Sequence, residues 1–308
     1  MGKIAFVFPG QGSQKVGMGK ATAEQFAVAK ETFDAADAAL GESLSTLCFE
    51  GPEEDLKLTA NTQPAVLTNS VALLRVLDVT PDVAAGHSLG EYSAHVCAGT
   101  IGFEDAVRLV RARGRLMQDA VPVGEGAMAA ILKLEDAQVE QLCEQTDGIV
   151  EPVNYNSPGQ VVIAGEAAAV AAVGEKVKDL KGRAMPLPVS APFHCQMMKP
   201  AEEGLAPVLR EIAFSAPSLP VYCNVDAIAV ADGDAARDAL IRQVSRPVRW
   251  TASVRKMVDD GVSLFVEIGA GAALKGMIKR IDKSVPTVNL RGPEDLDAVR
   301  EAIATARG

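Results

Sequence analysis

Short apolar runs alternate with stretches of helical periodicity along the first part of this 308-residue chain. Residues 3–8 and 79–85 are apolar runs of the kind that forms buried strands. Helical periodicity occupies residues 21–40, 63–77 and 104–120. Strands that alternate with helices in this way predict a parallel sheet with helices on both faces, which places the chain in the α/β class.

The pattern changes in the middle of the chain. Strands and helices are predicted there in the order βαββαβ, over residues 127–134, 136–145, 149–154, 160–164, 166–180 and 183–187. That order is the plan of a ferredoxin-like unit of α+β type. The larger pattern then resumes, with strands at residues 220–225, 263–268 and 287–290 and helices at residues 251–259, 272–281 and 295–306. We therefore expect a ferredoxin-like subdomain, residues 123–188, inserted into an α/β domain made of residues 1–122 and 189–308.

Bulk composition argues against several classes of protein. The formal net charge is −10, whereas a nucleic-acid-binding protein ordinarily carries a basic surface. The five cysteines include no CxxC pair, which argues against a disulfide framework and a zinc site and favours a reducing compartment. The first apolar run is too short for a signal peptide, and no run reaches the roughly 18 residues of a transmembrane helix. We expect a soluble cytoplasmic monomer with no metal, no nucleic-acid partner and no membrane partner.

One serine lies between two glycines in the segment Gly86-His87-Ser88-Leu89-Gly90, which matches the pattern G-x-S-x-G. The segment follows a predicted strand and opens a predicted helix, where a sharp turn would hold the serine outward. The start of that helix directs free N–H groups and a positive dipole end at the same point. The pattern predicts Ser88 as a nucleophile with the Leu89 N–H as an oxyanion donor. The alternative is a glycine-rich helix cap with an inert serine.

A serine nucleophile needs a base, and the chain has three histidines. His87 shares the turn with Ser88, so its ring should point elsewhere, and His95 lies roughly two helical turns away. His194 lies in a proline-containing loop where the main sheet pattern resumes, and loops at strand ends commonly supply catalytic groups. Elimination therefore favours His194 as the base. The alternative is a buried histidine whose ring is satisfied by structural hydrogen bonds.

One arginine falls on the apolar side of a predicted helix. Helix 104–120 carries a stripe of apolar residues at helical spacing, and Arg113 lies inside that stripe. A buried guanidinium is costly unless it faces an anion, and its planar fork suits a carboxylate. The anion is either a substrate carboxylate or an internal partner such as Glu267. The residue pattern alone leaves both open.

Two weaker features complete the pattern. The loop after the first strand is rich in glycine and could present the backbone N–H of Gln11 as a second oxyanion donor; the spacing of a dinucleotide-binding loop is absent. A basic run near the C-terminus consists of Lys275, Lys279, Arg280 and Lys283. Such a run is either a solvated helix face or a contact surface for an acidic partner protein.

Together these segments resemble the malonyl-CoA:acyl-carrier-protein transacylases of fatty-acid synthesis over nearly the whole chain. The segments are FVFPGQGSQ, GHSLGEYSA, RGRLMQ, GAMAAI, NYNSPGQVVIAG, PVSAPFHC and RPVRW. The resemblance implies a hydrolase-like α/β core with the ferredoxin-like insert. It also implies a ping-pong transfer of malonyl from malonyl-CoA to the phosphopantetheine thiol of acyl carrier protein. The coenzyme A thioester is then a substrate, and no cofactor is expected.

The resemblance assigns a role to each predicted site residue. Ser88 attacks the thioester with His194 as base and carries the malonyl group as an ester. Backbone N–H groups of Gln11 and Leu89 hold the oxyanion, and Arg113 binds the free carboxylate. The histidine is oriented by backbone carbonyls rather than by an acid.

Further positions follow from the same resemblance. Gln243 matches a glutamine that lines the site, and Asn156 and Asn224 are expected nearby. Phe193 stands before the histidine, where related acyltransferases with Phe tend to take malonyl and those with Ser tend to take methylmalonyl. The acidic partner of the basic run would be the carrier protein, with Lys275, Lys279 and Arg280 in contact.

Three other functions are alternatives to malonyl transfer to a fatty-acid carrier protein. The nearest is a discrete acyltransferase that loads a polyketide synthase carrier protein by the same chemistry. A serine thioesterase or hydrolase would use the same nucleophile, but it has no need of a buried cation such as Arg113. A non-catalytic partner protein with a relic site would not be expected to keep Ser88, His194 and Arg113 together.

Overall fold

The structure is a computed structural model that describes residues 2–189 and 191–308, so Met1 and Ser190, the latter part of the sequence segment PVSAPFHC, lie outside it. The strands of the described part are β1 (Lys3–Phe8), β2 (Val83–Gly86), β3 (Gly126–Leu132), β4 (Val150–Ser157), β5 (Gln160–Glu166), β6 (Arg183–Pro186), β7 (Val221–Tyr222), β8 (Val262–Ile268) and β9 (Thr287–Leu290). The helices are α1 (Lys20–Gln25), α2 (Ala27–Leu40), α3 (Leu44–Glu50), α4 (Glu53–Lys57), α5 (Thr59–Leu77), α6 (Gly90–Cys97), α7 (Phe103–Asp119), α8 (Asp136–Glu144), α9 (Ala167–Asp179), α10 (Lys199–Glu211), α11 (Gly233–Gln243), α12 (Trp250–Asp259), α13 (Ala273–Ile281) and α14 (Leu296–Arg307).

A five-stranded parallel sheet forms the centre of the larger domain, in the order β7-β2-β1-β8-β9. Its middle strand, β1, is apolar on both faces because helices cover both sides of the sheet. Ile4, Phe6 and Phe8 pack into the core that includes α2, α5 and α7. Ala5 and Val7 point the other way and pack with α12 and α13. The predicted α/β class, with a parallel sheet flanked by helices, is confirmed.

The register of the parallel strands brings their carboxyl ends to one edge of the sheet. Phe8 of β1 pairs with Gly86 of β2, and Val7 pairs with Glu267 of β8. The loops that follow these strands therefore meet at the same edge, where ligands commonly bind in sheets of this kind.

A four-stranded antiparallel sheet, in the order β4-β5-β3-β6, is formed by the inserted segment. Helices α8 and α9 cover one face around a core that includes Ile131. The other face, with Met128 and Val162, packs into the core of the larger domain. The βαββαβ order and the separate sheet confirm the predicted ferredoxin-like subdomain, whereas its boundaries near residues 123 and 188 stay a prediction.

One helix predicted as continuous is broken in two. The segment 21–40 forms α1 and α2, which are separated by Phe26 in an extended conformation with φ −128° and ψ 118°. The backbone carbonyl of Phe26 accepts the N–H groups of Ala29 and Lys30, so this residue begins the second helix. Apolar periodicity does not reveal a break of one residue because both helices keep their apolar faces toward the core.

Two predicted strands are shorter than expected. The strand predicted over residues 79–85 begins only at Val83, because Pro81 offers no N–H to a neighbouring strand. The Asp82 carboxylate instead accepts the backbone N–H of Ile4 at 2.8 Å. The strand predicted over residues 220–225 is limited to β7, at the edge of the sheet.

Several helices lie outside the predicted segments, namely α3, α4, α10 and α11. Helix α10 contains Pro207, a residue type that ordinarily ends a helix. Helix α11 begins after Asp232, whose side chain accepts the backbone N–H of Ala235, and ends at Gln243. The last of these helices matters most, because it delivers Gln243 to the edge of the sheet where the loops meet.

The turn between β2 and α6 leaves no room for side chains at its two glycines. A Cβ atom at Gly86 would lie 1.9 Å from the carbonyl carbon of Gly90, and one at Gly90 would lie 2.0 Å from the carbonyl oxygen of Phe8. Between them Ser88 has φ 51°, in the left-handed region. The sharp turn that the glycine spacing predicts is confirmed.

Replacing Gly90 by alanine should therefore destabilise the protein, since the new methyl group meets the backbone of the central strand. We expect Gly90→Ala to lower the free energy of unfolding by about 2 kcal/mol or more. Gly276 in α13 is the matched control, because an added Cβ there has nothing within 4 Å. Gly276→Ala should raise stability by about 0.5–1 kcal/mol. Urea unfolding measures both, and a Gly90→Ala protein as stable as wild type would contradict the crowding.

Candidate active site

Ser88 stands at the tip of the turn, and its backbone is held by side chains from distant parts of the chain. Its N–H donates to Asn224 Oδ1 at 2.7 Å, and its carbonyl accepts from Gln243 Nε2 at 3.0 Å. Asn224 Nδ2 also donates to the carbonyl of Gly86 at 2.7 Å. These hydrogen bonds stabilise a left-handed conformation that a serine seldom adopts.

His194 lies directly against the serine. The two atoms Ser88 Oγ and His194 Nε2 are 2.7 Å apart, and His194 Nδ1 lies 2.8 Å from the backbone carbonyl of Gln243. A carbonyl only accepts hydrogen bonds, so Nδ1 carries the proton and Nε2 is free to accept the serine hydroxyl proton. Burial and, next, the positive charge of Arg113 lower the pKa of His194 to about 3. The imidazole is therefore neutral near pH 7 and has the form of a base.

Arg113 reaches the serine from the inward face of α7. Its guanidinium is buried and donates to Gln63 Oε1 and to Gln243 Oε1, each at 2.9 Å, and to Ser88 Oγ at 3.2 Å. Its Nε has no acceptor among residues 2–189 and 191–308. None of these three acceptors carries a negative charge, which favours binding of an anionic ligand next to the hydroxyl.

The alternative partner for Arg113, Glu267, is engaged elsewhere. Its carboxylate accepts the backbone N–H groups of Leu274 at 3.1 Å and Lys275 at 2.9 Å, and the side chain of Asn289 at 2.7 Å. Glu267 thus binds the N-terminal end of α13, where the helix dipole favours a negative charge. An ion pair between Arg113 and Glu267 is not present, so that interpretation is wrong.

A cleft of about 120 Å³ opens above Ser88. Its lining is made by Gln11, Gln63, His87, Ser88, Leu89, Arg113, Met117, Met128, Asn154, Leu187, Val189, Phe193 and His194. Within the described residues, the backbone N–H groups of Gln11 and Leu89 have no hydrogen-bond acceptor. Gln11 and Leu89 thus line the same cleft as Ser88, each with a free backbone donor of the kind that an oxyanion site uses.

Gln243 differs from its expected place. The resemblance implies a glutamine that lines the site, whereas Gln243 is fully buried beneath the turn and is absent from the cleft wall. Its backbone carbonyl orients His194, and its side chain contacts Arg113 and the Ser88 carbonyl. Its contribution is therefore to position the groups that border the cleft.

The remaining histidines do not reach the serine hydroxyl. His87 Nε2 lies 2.8 Å from Asn156 Oδ1, and its ring packs beside Trp250. His95 is fully buried in α6, and neither ring nitrogen has a hydrogen-bond partner in the described part of the chain. Cys195 lacks the lowered pKa of an activated thiol: burial raises its pKa to about 12, and its Sγ donates to the carbonyl of Pro192. These contacts leave His194 as the histidine against Ser88.

Two polar residues of the site were absent from the sequence-based expectations. Gln63 is buried in α5 and belongs to no recognisable sequence motif. Its amide oxygen nevertheless accepts a hydrogen bond from Arg113. Glu91 is buried in α6 and accepts from Gln243. Both share the signal that identified Arg113, namely a polar side chain on a helix face that is otherwise buried.

The described residues form neither a metal-binding cluster nor a membrane-spanning helix. Among residues 2–189 and 191–308, no group of three or more His, Cys, Asp or Glu side chains is arranged to hold a metal ion. None of the helices in the described part combines the length and the apolarity that crossing a membrane demands.

The Acyl transferase domain family model matches residues 5–299. The malonyl CoA-acyl carrier protein transacylase of Escherichia coli strain K12 is 52% identical over 308 residues, covering 98% of this chain and 100% of the relative. This chain belongs to the acyl transferase family, among the malonyl CoA-acyl carrier protein transacylases. The Bacillus subtilis member of the family is 45% identical and is covered over 96% of each chain.

Solved structures of the transacylase family share the fold over nearly the whole chain. An acyl carrier protein S-malonyltransferase from Vibrio cholerae has a TM-score of 0.94 and 51% identity, covering 96% of this chain and 99% of that chain. A malonyl-transacylase solved with a type II PKS acyl-carrier protein has a TM-score of 0.95 and 46% identity, covering 97% and 99% of the two chains. The resemblance found from the sequence motifs is thus confirmed.

Proposed function

We propose that this chain transfers a malonyl group from malonyl-CoA to the phosphopantetheine thiol of acyl carrier protein through a malonyl ester on Ser88. The observation that carries the proposal is the position of Arg113, whose Nη2 lies 3.2 Å from Ser88 Oγ in a buried cleft. A nucleophile and a cation this close fit a small donor with a thioester at one end and a carboxylate at the other. The relatives from Escherichia coli and Bacillus subtilis are malonyl CoA-acyl carrier protein transacylases, which supports the same donor and acceptor.

The first half-reaction uses the serine and the histidine. As Ser88 Oγ attacks the thioester carbon, its proton passes to His194 Nε2. The backbone N–H groups of Gln11 and Leu89 stabilise the negative charge that develops on the carbonyl oxygen. Collapse of the tetrahedral intermediate breaks the carbon–sulfur bond, and the departing coenzyme A sulfur takes the proton from the histidine. Malonyl-Ser88 and free coenzyme A result.

The second half-reaction reverses the first with another thiol. His194 accepts the proton of the phosphopantetheine thiol, whose sulfur attacks the malonyl ester. The same backbone donors stabilise the oxyanion, and Ser88 Oγ leaves with the proton held by the imidazole. Transfer rather than hydrolysis depends on keeping water from the ester, and apolar walls such as Phe193 and Met128 favour that exclusion.

Arg113 and Phe193 account for the choice of acyl group. The guanidinium pairs with the free carboxylate, and its unengaged Nε adds a donor to that contact. Phe193 occupies the wall next to the histidine, where its ring limits the room for an α-methyl branch. We propose malonyl as the preferred group on this basis.

The chain itself supplies the groups that the reaction uses. Ser88, His194 and Arg113 provide the nucleophile, base and positive charge, so we propose that coenzyme A acts as part of the substrate and that no resident cofactor takes part. Ser88, His194 and Arg113 come into contact within one chain, so we propose that a monomer is the active unit. We propose a cytoplasmic location because all five cysteines are free thiols, as a reducing compartment maintains them.

Intact mass spectrometry after mixing with malonyl-CoA tests the covalent step. Wild-type protein should gain one malonyl group, mapped by peptide analysis to Ser88, and Ser88→Ala should gain none because the nucleophile is removed. Ser93→Ala is the matched control, since Ser93 is buried in α6 and has no hydrogen-bond partner among the described residues. A malonyl adduct that persists in Ser88→Ala would exclude this mechanism.

Removing the guanidinium tests the choice of donor. Arg113→Ala should lower kcat/KM for malonyl-CoA by roughly 10²–10³-fold, the cost of losing one partner of a buried charge pair. Acetyl-CoA has no carboxylate, so its rate should fall far less. Arg111→Ala is the control on the same helix, because Arg111 is buried but pairs with Glu42 at 2.8 Å. Equal losses with both donors would give Arg113 a structural role only.

We also propose that the carrier protein contacts the exposed basic face of α13, formed by Lys275, Lys279 and Arg280. Glu267 fixes the start of this helix through two backbone N–H groups. The preceding loop lies against the loop that carries Gln11, since a Cβ at Gly271 would be 3.9 Å from Ser13. A positive face beside the cleft, in a chain of net charge −10, favours an acidic partner.

Charge reversal tests this surface. Lys275→Glu with Lys279→Glu should raise KM for the carrier about tenfold, more at low salt, and leave loading by malonyl-CoA unchanged. Arg280 is left intact because it donates to Gln160 of the subdomain. Lys181→Glu with Arg183→Glu is the control, at the far strand of the small sheet. An unchanged carrier KM would make the basic run a solvated face.

A second candidate function differs only in the carrier. The relative solved with a type II PKS acyl-carrier protein shows that this fold also serves such a partner. Running the same assay with a fatty-acid carrier and with a polyketide carrier compares the two functions directly. The higher kcat/KM identifies the carrier that the chain is built to use.

A further inference from the structure

Buried polar side chains form one connected cluster beneath Ser88, outside the cleft. Glu91, Asn224 and Gln243 are each 0% exposed, and none of them lines the cleft wall. Burying a carboxyl group costs free energy of folding unless hydrogen bonds or an opposite charge compensate for the lost hydration. The proposed transfer mechanism assigns no role to Glu91.

One carboxylate oxygen of Glu91 receives two hydrogen bonds. Its Oε2 accepts the backbone N–H of Asn224 at 2.9 Å and the side-chain amide of Gln243 at 2.7 Å. These two residues hold the backbone of Ser88 on either side, Asn224 at its N–H and Gln243 at its carbonyl. Asn224 and Gln243 therefore both hold the backbone of Ser88, and both donate to the same carboxylate oxygen of Glu91.

The carboxylate also fixes which way the amide of Gln243 faces. An amide turned over would place Oε1 against the Ser88 carbonyl and the carboxylate of Glu91, and Nε2 against the donors of Arg113. Both sides would then be repulsive. With Nε2 held by Glu91, the amide oxygen is directed at Arg113 Nη2, which it meets at 2.9 Å.

The electrostatics of the cluster agree with this arrangement. Burial raises the pKa of Glu91 to about 7, whereas hydrogen bonds from Asn224 and Gln243 and the charge of Arg113 oppose that rise. The second oxygen, Oε1, lies 3.9 Å from His95 Nε2, beyond hydrogen-bond distance. In the described structure Glu91 therefore accepts its hydrogen bonds through Oε2 alone.

We propose that Glu91 is a positioning residue which, through the amide of Gln243, orients the guanidinium of Arg113 toward the carboxylate of the acyl donor. The proposal rests on the function proposed above, since it concerns how Arg113 distinguishes malonyl from acetyl donors. A side chain that merely stabilised the fold would affect both donors equally. A side chain that orients Arg113 affects the malonyl donor more.

The test compares Glu91→Gln with Glu91→Leu. The glutamine variant keeps an acceptor oxygen for both N–H groups, and its amide nitrogen faces the ring of His95. The leucine variant has a similar volume and no acceptor. We expect Glu91→Leu to lower the ratio of kcat/KM for malonyl-CoA to that for acetyl-CoA by about 10–100-fold, as for loss of a hydrogen bond to a charged group. Glu91→Gln should stay within about threefold of wild type.

Two outcomes overturn the inference. A leucine variant with an unchanged ratio would show that Glu91 only stabilises the fold, and a glutamine variant that loses as much as leucine would show that hydrogen-bond acceptance is not its role. If the leucine variant does not fold, Glu91→Asp replaces it, because its shorter side chain withdraws the acceptor from Gln243. An unchanged ratio in Glu91→Asp overturns the inference in the same way.

A double-mutant cycle identifies the route. Gln243→Leu should lower the donor ratio as Glu91→Leu does, and the double variant should lose little more, because both break the same chain of contacts. Additive losses would show that Glu91 acts independently of Gln243. Malonyl labelling of wild-type protein is measured alongside. Its absence would count against the proposed function, whereas labelling with an unchanged donor ratio in the variants counts against the role of Glu91 only.

Discussion

A positive charge buried under a protein surface governs the arrangement of this site. The guanidinium of Arg113 is 1% exposed and donates to two amide oxygens and a hydroxyl, all of them neutral. Such a group is unfavourable in the interior unless its donors are satisfied and an anion completes the set. Gln63 and Gln243 satisfy two donors and leave the charge for a ligand. The glutamines accept hydrogen bonds from the guanidinium without a negative charge of their own, and Glu91 is connected to it through the amide of Gln243.

One residue also connects the three reacting groups, which come from different parts of the chain. The nucleophile comes from the turn after β2, the base from the loop after β6, and the cation from α7. Gln243, at the end of α11, contacts all three: its carbonyl binds His194, its amide nitrogen binds the Ser88 backbone, and its amide oxygen binds Arg113. A single residue thereby aligns proton transfer, nucleophile geometry and donor recognition, and no acidic member of a triad is needed to orient the imidazole.

Sequence patterns were informative where the physical cause was local. The apolar strand β1, the crowded turn around Ser88 and the arginine inside an apolar stripe are each visible within a short window. The buried position of Gln243 and the support given by Glu91 were not visible, because the contacts of Gln243 with Ser88 and with Glu91 join residues more than a hundred positions apart. The break at Phe26 was missed because the apolar periodicity continues across it, and the helix through Pro207 was missed because proline ordinarily ends a helix.

The inserted subdomain shares core residues, cleft residues and backbone hydrogen bonds with the larger domain. One face of its sheet belongs to the main core, Met128 forms part of the cleft wall, and Val248 exchanges backbone hydrogen bonds with Val153 and Tyr155 of β4. The two units consequently share one hydrophobic interior and one binding surface. Transplanting the subdomain from a relative would therefore also require replacing the residues of the larger domain that face it. The shape of the cleft is a property of both units together.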